Sequence, residues 1–191
     1  MNYGIYKGAR NASWRCLLDA HVLSLPINPI QIIRMYGIGC RLADPDFLDG
    51  ASGFTIKDET GNIKIIIDST HPLTRQRFTI MHELGHYVLG HLGDTPLSRS
   101  EHDCRPEEEV AADRFAVDML MPACVLWGLN IHTAEDIAKV CGVSMQAAQI
   151  RAERMEILYR RNMFLPHQLE RRVFEQFKPW IDAKRSQGGN F

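Results

Sequence analysis

The sequence predicts an α+β chain, mostly helical, with a small β-sheet beside one central helix. Three observations predict it. Apolar residues recur at helical spacing through most of the 191 residues, as at Trp14, Leu17, Leu18 and at Phe78, Met81, Leu84, Val88. One stretch alternates instead: Phe54-Thr55-Ile56-Lys57 and Ile63-Lys64-Ile65-Ile66-Ile67-Asp68 flank the turn-forming run Asp58-Glu59-Thr60-Gly61-Asn62. Hydrophobic content of 45% with a net charge of −1 is ordinary for a folded core, and excludes a long disordered or fibrous chain.

In chain order, Trp14, Leu17, Leu18, His21, Val22 and Leu25 predict an amphipathic helix closed by Pro26, with His21 on its apolar stripe. Asn28 and Pro29 open a second helix through Ile30, Ile33 and Tyr36, ending at Gly37. A strand is expected around Gly39–Leu42, then the hairpin over 54–68. The next helix follows His71-Pro72, with Thr74 as its expected N-cap and Gly90 as its stop. Residues 90–105 form a long polar loop, expected to serve as a lid or substrate-entry segment. Pro106, acids in the first turn and Pro122 bound a further helix. Thr133 with Asp136, Gly142 and Ser144 then cap two short helices that look like a helix-turn-helix, with Arg151 and Arg154 on the second.

The central helix carries His82-Glu83-Leu84-Gly85-His86. Residues four apart on a helix lie one above the other, so both imidazoles can face one ion while Glu83 reaches water beside it. Two histidines leave a tetrahedral zinc short of a protein ligand. The metzincin pattern fails, because the offsets that need Gly and His hold Leu89 and Leu92. His91 is therefore expected to face the loop. The best remaining donor is Glu109, since Asp113 lies four residues later on the same face and can orient a ligand histidine through its other ring nitrogen. Glu107 and Glu108 read as ordinary first-turn acids. Gly85 weakens a helix interior by about 1 kcal/mol relative to Ala; close approach of another backbone explains it, and the slim Ala111-Ala112 pair suits that neighbour.

The run from Arg77-Phe78 through the His-Glu-x-x-His helix to His91, then Glu109-Val110-Ala111-Ala112-Asp113-Arg114-Phe115-Ala116 and Met119-Leu120-Met121-Pro122, resembles the ImmA/IrrE family of zinc metallo-endopeptidases. The resemblance is densest over residues 72–122. It implies a gluzincin or minigluzincin-like site with zinc (Zn2+) ligands His82, His86 and Glu109, Glu83 as catalytic general base and Asp113 as the partner behind a ligand. It also implies a protein substrate, a helix-turn-helix repressor whose cleavage releases genes of a mobile element or stress response. The oxyanion donor is left among Tyr87, His91, His102 and Arg105.

The expected organisation is a zinc metallopeptidase domain over 1–130 and a helical C-terminal portion over 131–191. Eight acids against three arginines in residues 94–120 suit a basic substrate, whereas nine bases against five acids in 151–191 suit an acidic partner. This balance keeps a second class of function open: a zinc-stabilised, non-proteolytic regulator that binds a protein partner or DNA through its C-terminal portion. Nucleic-acid contact is not the favoured reading. No run of 18 apolar residues and no apolar signal core at Met1–Lys7 occur, so neither membrane span nor export is indicated. Cys16, Cys40, Cys104, Cys124 and Cys141 are odd in number and scattered, as expected of reduced thiols in a cytoplasmic protein.

Overall fold

The computed structural model describes residues 3–92 and 106–187. The elements, in order, are α1 (Tyr3–Asp19), α2 (Pro29–Met35), β1 (Gly39–Ala43), α3 (Pro45–Leu48), β2 (Gly53–Lys57), β3 (Ile63–Asp68), α4 (Leu73–Val88), α5 (Pro106–Leu120), α6 (Ala123–Gly128), α7 (Ala134–Cys141), α8 (Met145–Arg160) and α9 (Gln168–Ser186). The α+β class with a small sheet is as expected. The chain packs as two compact units, residues 1–12 with 28–116 and residues 13–27 with 117–191. This packing boundary at 116 does not coincide with the boundary expected at 130.

In the first unit, α2 opens as its sequence dictates: Asn28 accepts a hydrogen bond from the Ile30 amide and Pro29 takes the first turn. The hairpin forms with Gly61 at φ 84°, the left-handed turn position that glycine takes without strain. Asp58 ties that turn together, accepting from the amides of Thr60 and Asn62 and from Lys64 Nζ. These contacts hold its carboxyl well below the usual range, with the Thr60 hydroxyl the largest cause. The sheet order is β1-β3-β2, with β1 parallel and β2 antiparallel to β3. The parallel pairing is beyond the hairpin pattern, because it joins segments whose registers are set by burial. Ile65 and Ile67 of the central strand are buried on the side shared with Thr55 and Gly53. There α4 packs on β2 and β3, and a Cβ at Gly53 would sit 2.7 Å from Thr79 Cγ2.

Two expectations at the start of helices need correction. Thr74 is not an N-cap: α4 starts after Pro72, with no side-chain cap bond. The first helix starts at Tyr3 and stops at Asp19, short of Leu25. His21 takes φ 47° and the Val22 amide bonds back to the Leu17 carbonyl, which ends the helix. His21 is consequently exposed and lies off any apolar stripe.

In the second unit, the caps read from the sequence form. Thr133 accepts from the Asp136 amide, Gly142 sits at φ 63°, and Ser144 accepts from the Ala147 amide. The short α6 was not legible in the sequence. It packs on α9, where a Cβ at Gly128 would meet Phe174 at 2.8 Å and Ile181 at 2.9 Å. Gln176 of α9 donates to the carbonyls of Leu17 and Val22, closing the end of α1.

Helices α7 and α8 pack as the expected hairpin, but Arg151 is not free on its surface. Its side chain is among the largest fully buried ones, and it donates to Asp118 at 3.1 Å. A buried, paired guanidinium holds α8 in place and does not reach a base edge or phosphate; breaking such a pair on one side costs about 3–5 kcal/mol. Cys124 is also fully buried, and burial, reinforced by the Glu170 charge, pushes its thiol far above the reactive range. Among the described residues, Cys16, Cys40, Cys124 and Cys141 form no disulfide. Among the described residues no helix is long and apolar enough to cross a membrane.

Candidate metal centre

Helix α4 places His82 and His86 one turn apart, and their Nε2 atoms lie 3.0 Å from each other. Helix α5 brings Glu109 across to both: Oε2 lies 3.2 Å from His82 Nε2 and Oε1 3.3 Å from His86 Nε2. One donor atom from each of the three residues falls within a 4.8 Å cluster. The opposite edge of each imidazole is occupied. His82 Nδ1 sits 2.8 Å from Asp113 Oδ1 and His86 Nδ1 sits 3.1 Å from His91 Nδ1. Two imidazole nitrogens and a carboxylate that converge, with the far ring nitrogens held by other side chains, are a donor set suited to a divalent metal. Glu107 is exposed, and neither it nor Glu108 belongs to the donor cluster.

The two helices meet where the sequence is smallest. A Cβ added at Gly85 would come within 3.1 Å of Phe115 Cδ1 and 3.2 Å of both the Ala112 Cα and carbonyl oxygen. The glycine is what lets α5 come close enough for Glu109 to reach the histidines. Gly85→Ala improves helix propensity by about 1 kcal/mol, but overpacking against a neighbouring backbone costs roughly 1–3 kcal/mol. Because two of the three contacts are with backbone, the second effect should win. Thermal denaturation of the metal-free protein should show a lower Tm for Gly85→Ala; a raised Tm would mean that α5 yields easily.

Glu83 is buried, and the hydroxyl of Thr55, from the edge strand β2, donates to its Oε2 at 2.7 Å. The bond spans 28 residues of sequence and fixes one carboxylate oxygen. Sequence reasoning did not single out Thr55. Its signal was a polar residue on the strand face that alternation assigns to the core. His91, expected to face the loop, instead turns in toward His86. Tyr87, an oxyanion candidate, packs edge-on against Tyr36 with ring centroids 6.0 Å apart. His102, Arg105, Cys104 and most of the 90–105 loop lie outside the described residues.

A sequence profile of peptidase family M78, described as the IrrE N-terminal-like domain, matches residues 40–153, well over half of the chain. The chain belongs to this IrrE-like peptidase family. The match extends the resemblance carried by residues 72–122 to run from β1 into α8. A curated relative is the "Radiation response metalloprotease IrrE" of Deinococcus radiodurans, 29% identical over an alignment of 154 residues that covers 73% of this chain and 44% of the relative. The chain thus spans less than half the length of that relative. Membership of the IrrE-like family accounts for a metal-binding donor set, and the converged His82, His86 and Glu109 are its candidate in this chain.

Electrostatics around the donors depends on whether a metal is bound. In the metal-free protein, burial opposes charge on His82, but the hydrogen bonds to Asp113 and Glu109 and the Glu83 charge outweigh it and push its pKa up to about 9. The raised value means His82 stabilises the metal-free fold fully below its ordinary value of 6.5, and that contribution is lost as pH climbs through about 9. If His82 ligates a metal, uptake at neutral pH must displace this proton. Zinc affinity should keep rising, by roughly tenfold per pH unit, up to about pH 9. Titrations of affinity between pH 6.5 and 9 check this; a plateau from pH 6.5 upward would mean that the carboxylates do not hold the proton.

Proposed function

We propose that this chain is a zinc-dependent endopeptidase of the cytoplasm that cleaves a helix-turn-helix repressor and so derepresses genes of a mobile element or a stress response. The observation that carries the catalytic part is a three-donor cluster beside a buried Glu83 whose orientation is set by Thr55. His82, His86 and Glu109 would hold the metal, and Asp113 would orient His82. A zinc ion held there would supply Lewis acidity for hydrolysis of a peptide carbonyl. Glu83 Oε1 takes the proton of the attacking water and returns it to the leaving amine nitrogen. The outer edge of β2 is suited to hold an extended substrate by adding a strand, with the Thr55 hydroxyl turned inward to the base.

The repressor assignment rests on the family resemblance and on the acidic balance of residues 94–120, which suits a basic, DNA-binding substrate. In this reading residues 1–130 form the peptidase portion, and residues 131–191 serve to dock the substrate. The competing regulator reading wants a closed site with a fourth protein ligand; only three donors converge among the described residues. The burial of Arg151 also removes one of the two arginines offered for DNA contact.

Zinc-loaded protein co-expressed with helix-turn-helix repressors encoded beside its gene should yield one defined cut, located by mass spectrometry. Unrelated unfolded proteins such as casein should survive, because specificity requires contacts beyond a shallow cleft. Rapid digestion of casein with no preference for a repressor would point to a general peptidase.

A further inference from the structure

The end of α4 is built to turn one more histidine back onto the site. Gly90 takes φ 75°, its amide donates to the Tyr87 carbonyl at 3.2 Å, and the His91 amide donates to the His86 carbonyl at 2.9 Å. This is the left-handed glycine cap, in which the residue after the glycine folds back over the last turn. A Cβ at Gly90 would meet nothing within 4 Å, so the glycine serves the backbone turn and not a close contact. The outcome of the turn is that the His91 ring stands edge-on to His86, with centroids 5.2 Å and Nδ1 atoms 3.1 Å apart. The His86 side chain is almost fully buried, at 1% exposure, so few partners can reach its inner edge.

We infer that His91 is the positioning residue for His86: it accepts the Nδ1 proton of His86 and thereby locks the tautomer and ring angle that present Nε2 to a metal. The inference rests on the reading of His82, His86 and Glu109 as the metal ligands. Its chemistry follows from the geometry. Two ring nitrogens at hydrogen-bond distance need one proton between them, a donor on one side and a lone pair on the other. As a metal ligand through Nε2, the nitrogen that faces His82 and Glu109, His86 gives its lone pair to the metal and carries its proton on Nδ1. His91 Nδ1 is then the acceptor, with its own proton on Nε2. His82 receives the equivalent support from Asp113 on the other side, so each ligand histidine has its own orienting partner.

The test uses the full chain, with Zn2+ in competition with a chromophoric chelator and Co2+ absorption as a report on ligand geometry. His91→Leu keeps bulk but has no acceptor; His91→Asn offers a carbonyl oxygen. The expected result is a loss of roughly 10–100-fold in zinc affinity for His91→Leu, a changed Co2+ spectrum, and substantial recovery of both in His91→Asn. Should His91→Leu fail to fold, His91→Ala takes its place in the comparison. Wild-type affinity and spectrum in the Leu or Ala variant overturns the inference. So does an Asn variant as poor as the Leu one, since that assigns His91 to packing. A wild-type protein that binds no zinc overturns the metal-centre reading itself, a distinct outcome.

Discussion

Glu83→Gln is expected to reduce peptide cleavage by about 10²–10⁴-fold while leaving zinc content and Tm near those of the wild type. The substitution preserves side-chain length, and the amide oxygen of Gln can still accept the Thr55 hydroxyl that now bonds Glu83 at 2.7 Å. Packing around this buried position is therefore maintained. What is lost is the ability to take a proton from water at neutral pH. Thr55 grades the same effect. Thr55→Val is isosteric but cannot donate, so it should lower kcat with little change in KM or metal content, and Thr55→Ser should restore most of the rate. Cleavage assays paired with metal analysis decide it. Wild-type turnover by Glu83→Gln on a substrate that the wild type cuts would remove Glu83 from the mechanism.

Glu109→Ala should weaken zinc binding more than any other single carboxylate change, by more than about 100-fold, since replacing even an outer partner costs 10–100-fold. Its two oxygens lie within 3.2 and 3.3 Å of the two histidine Nε2 atoms, and it supplies the anionic member of the cluster. Asp113→Ala should fall in the outer-partner range, because Asp113 meets His82 at Nδ1 and lies outside the donor cluster. Glu107→Ala should alter zinc binding little, and its effect on stability should be that of a lost first-turn charge, about 0.3–1 kcal/mol at most. Chelator competition on the three variants separates these outcomes; equal affinities would sink the assignment of Glu109 as a ligand.

Much of this was legible because it is local. The caps at Asn28, Thr133, Gly142 and Ser144 formed as read, since each concerns bonds between residues two to four positions apart. The likeness of residues 72–122 to a peptidase family, now shown over 40–153, was carried by side chains at helical spacing, a period the backbone imposes. Even the close helix approach at Gly85 could be anticipated, because a glycine inside a helix lowers stability unless a neighbour needs the room.

Other features were decided only by tertiary structure. Thr55 meets Glu83 across 28 residues, and no period in the sequence links a strand position to a helix position. The parallel β1–β3 pairing joins strands whose partners are set by which faces bury against α4. Arg151 looked like an exposed arginine on a recognition helix, yet burial beside Asp118 made it a core ion pair. The first helix stopped seven residues before the proline expected to close it, because His21 turns left-handed and Gln176, 159 positions away from Leu17, donates to the carbonyls of Leu17 and Val22. By itself the sequence determined which residues could do metal chemistry and which helices would carry them, since bonds within a turn depend on neighbours alone. That Thr55 meets the candidate base and His91 meets His86 depends on desolvation and packing that no helical period encodes, and only the folded chain could decide it.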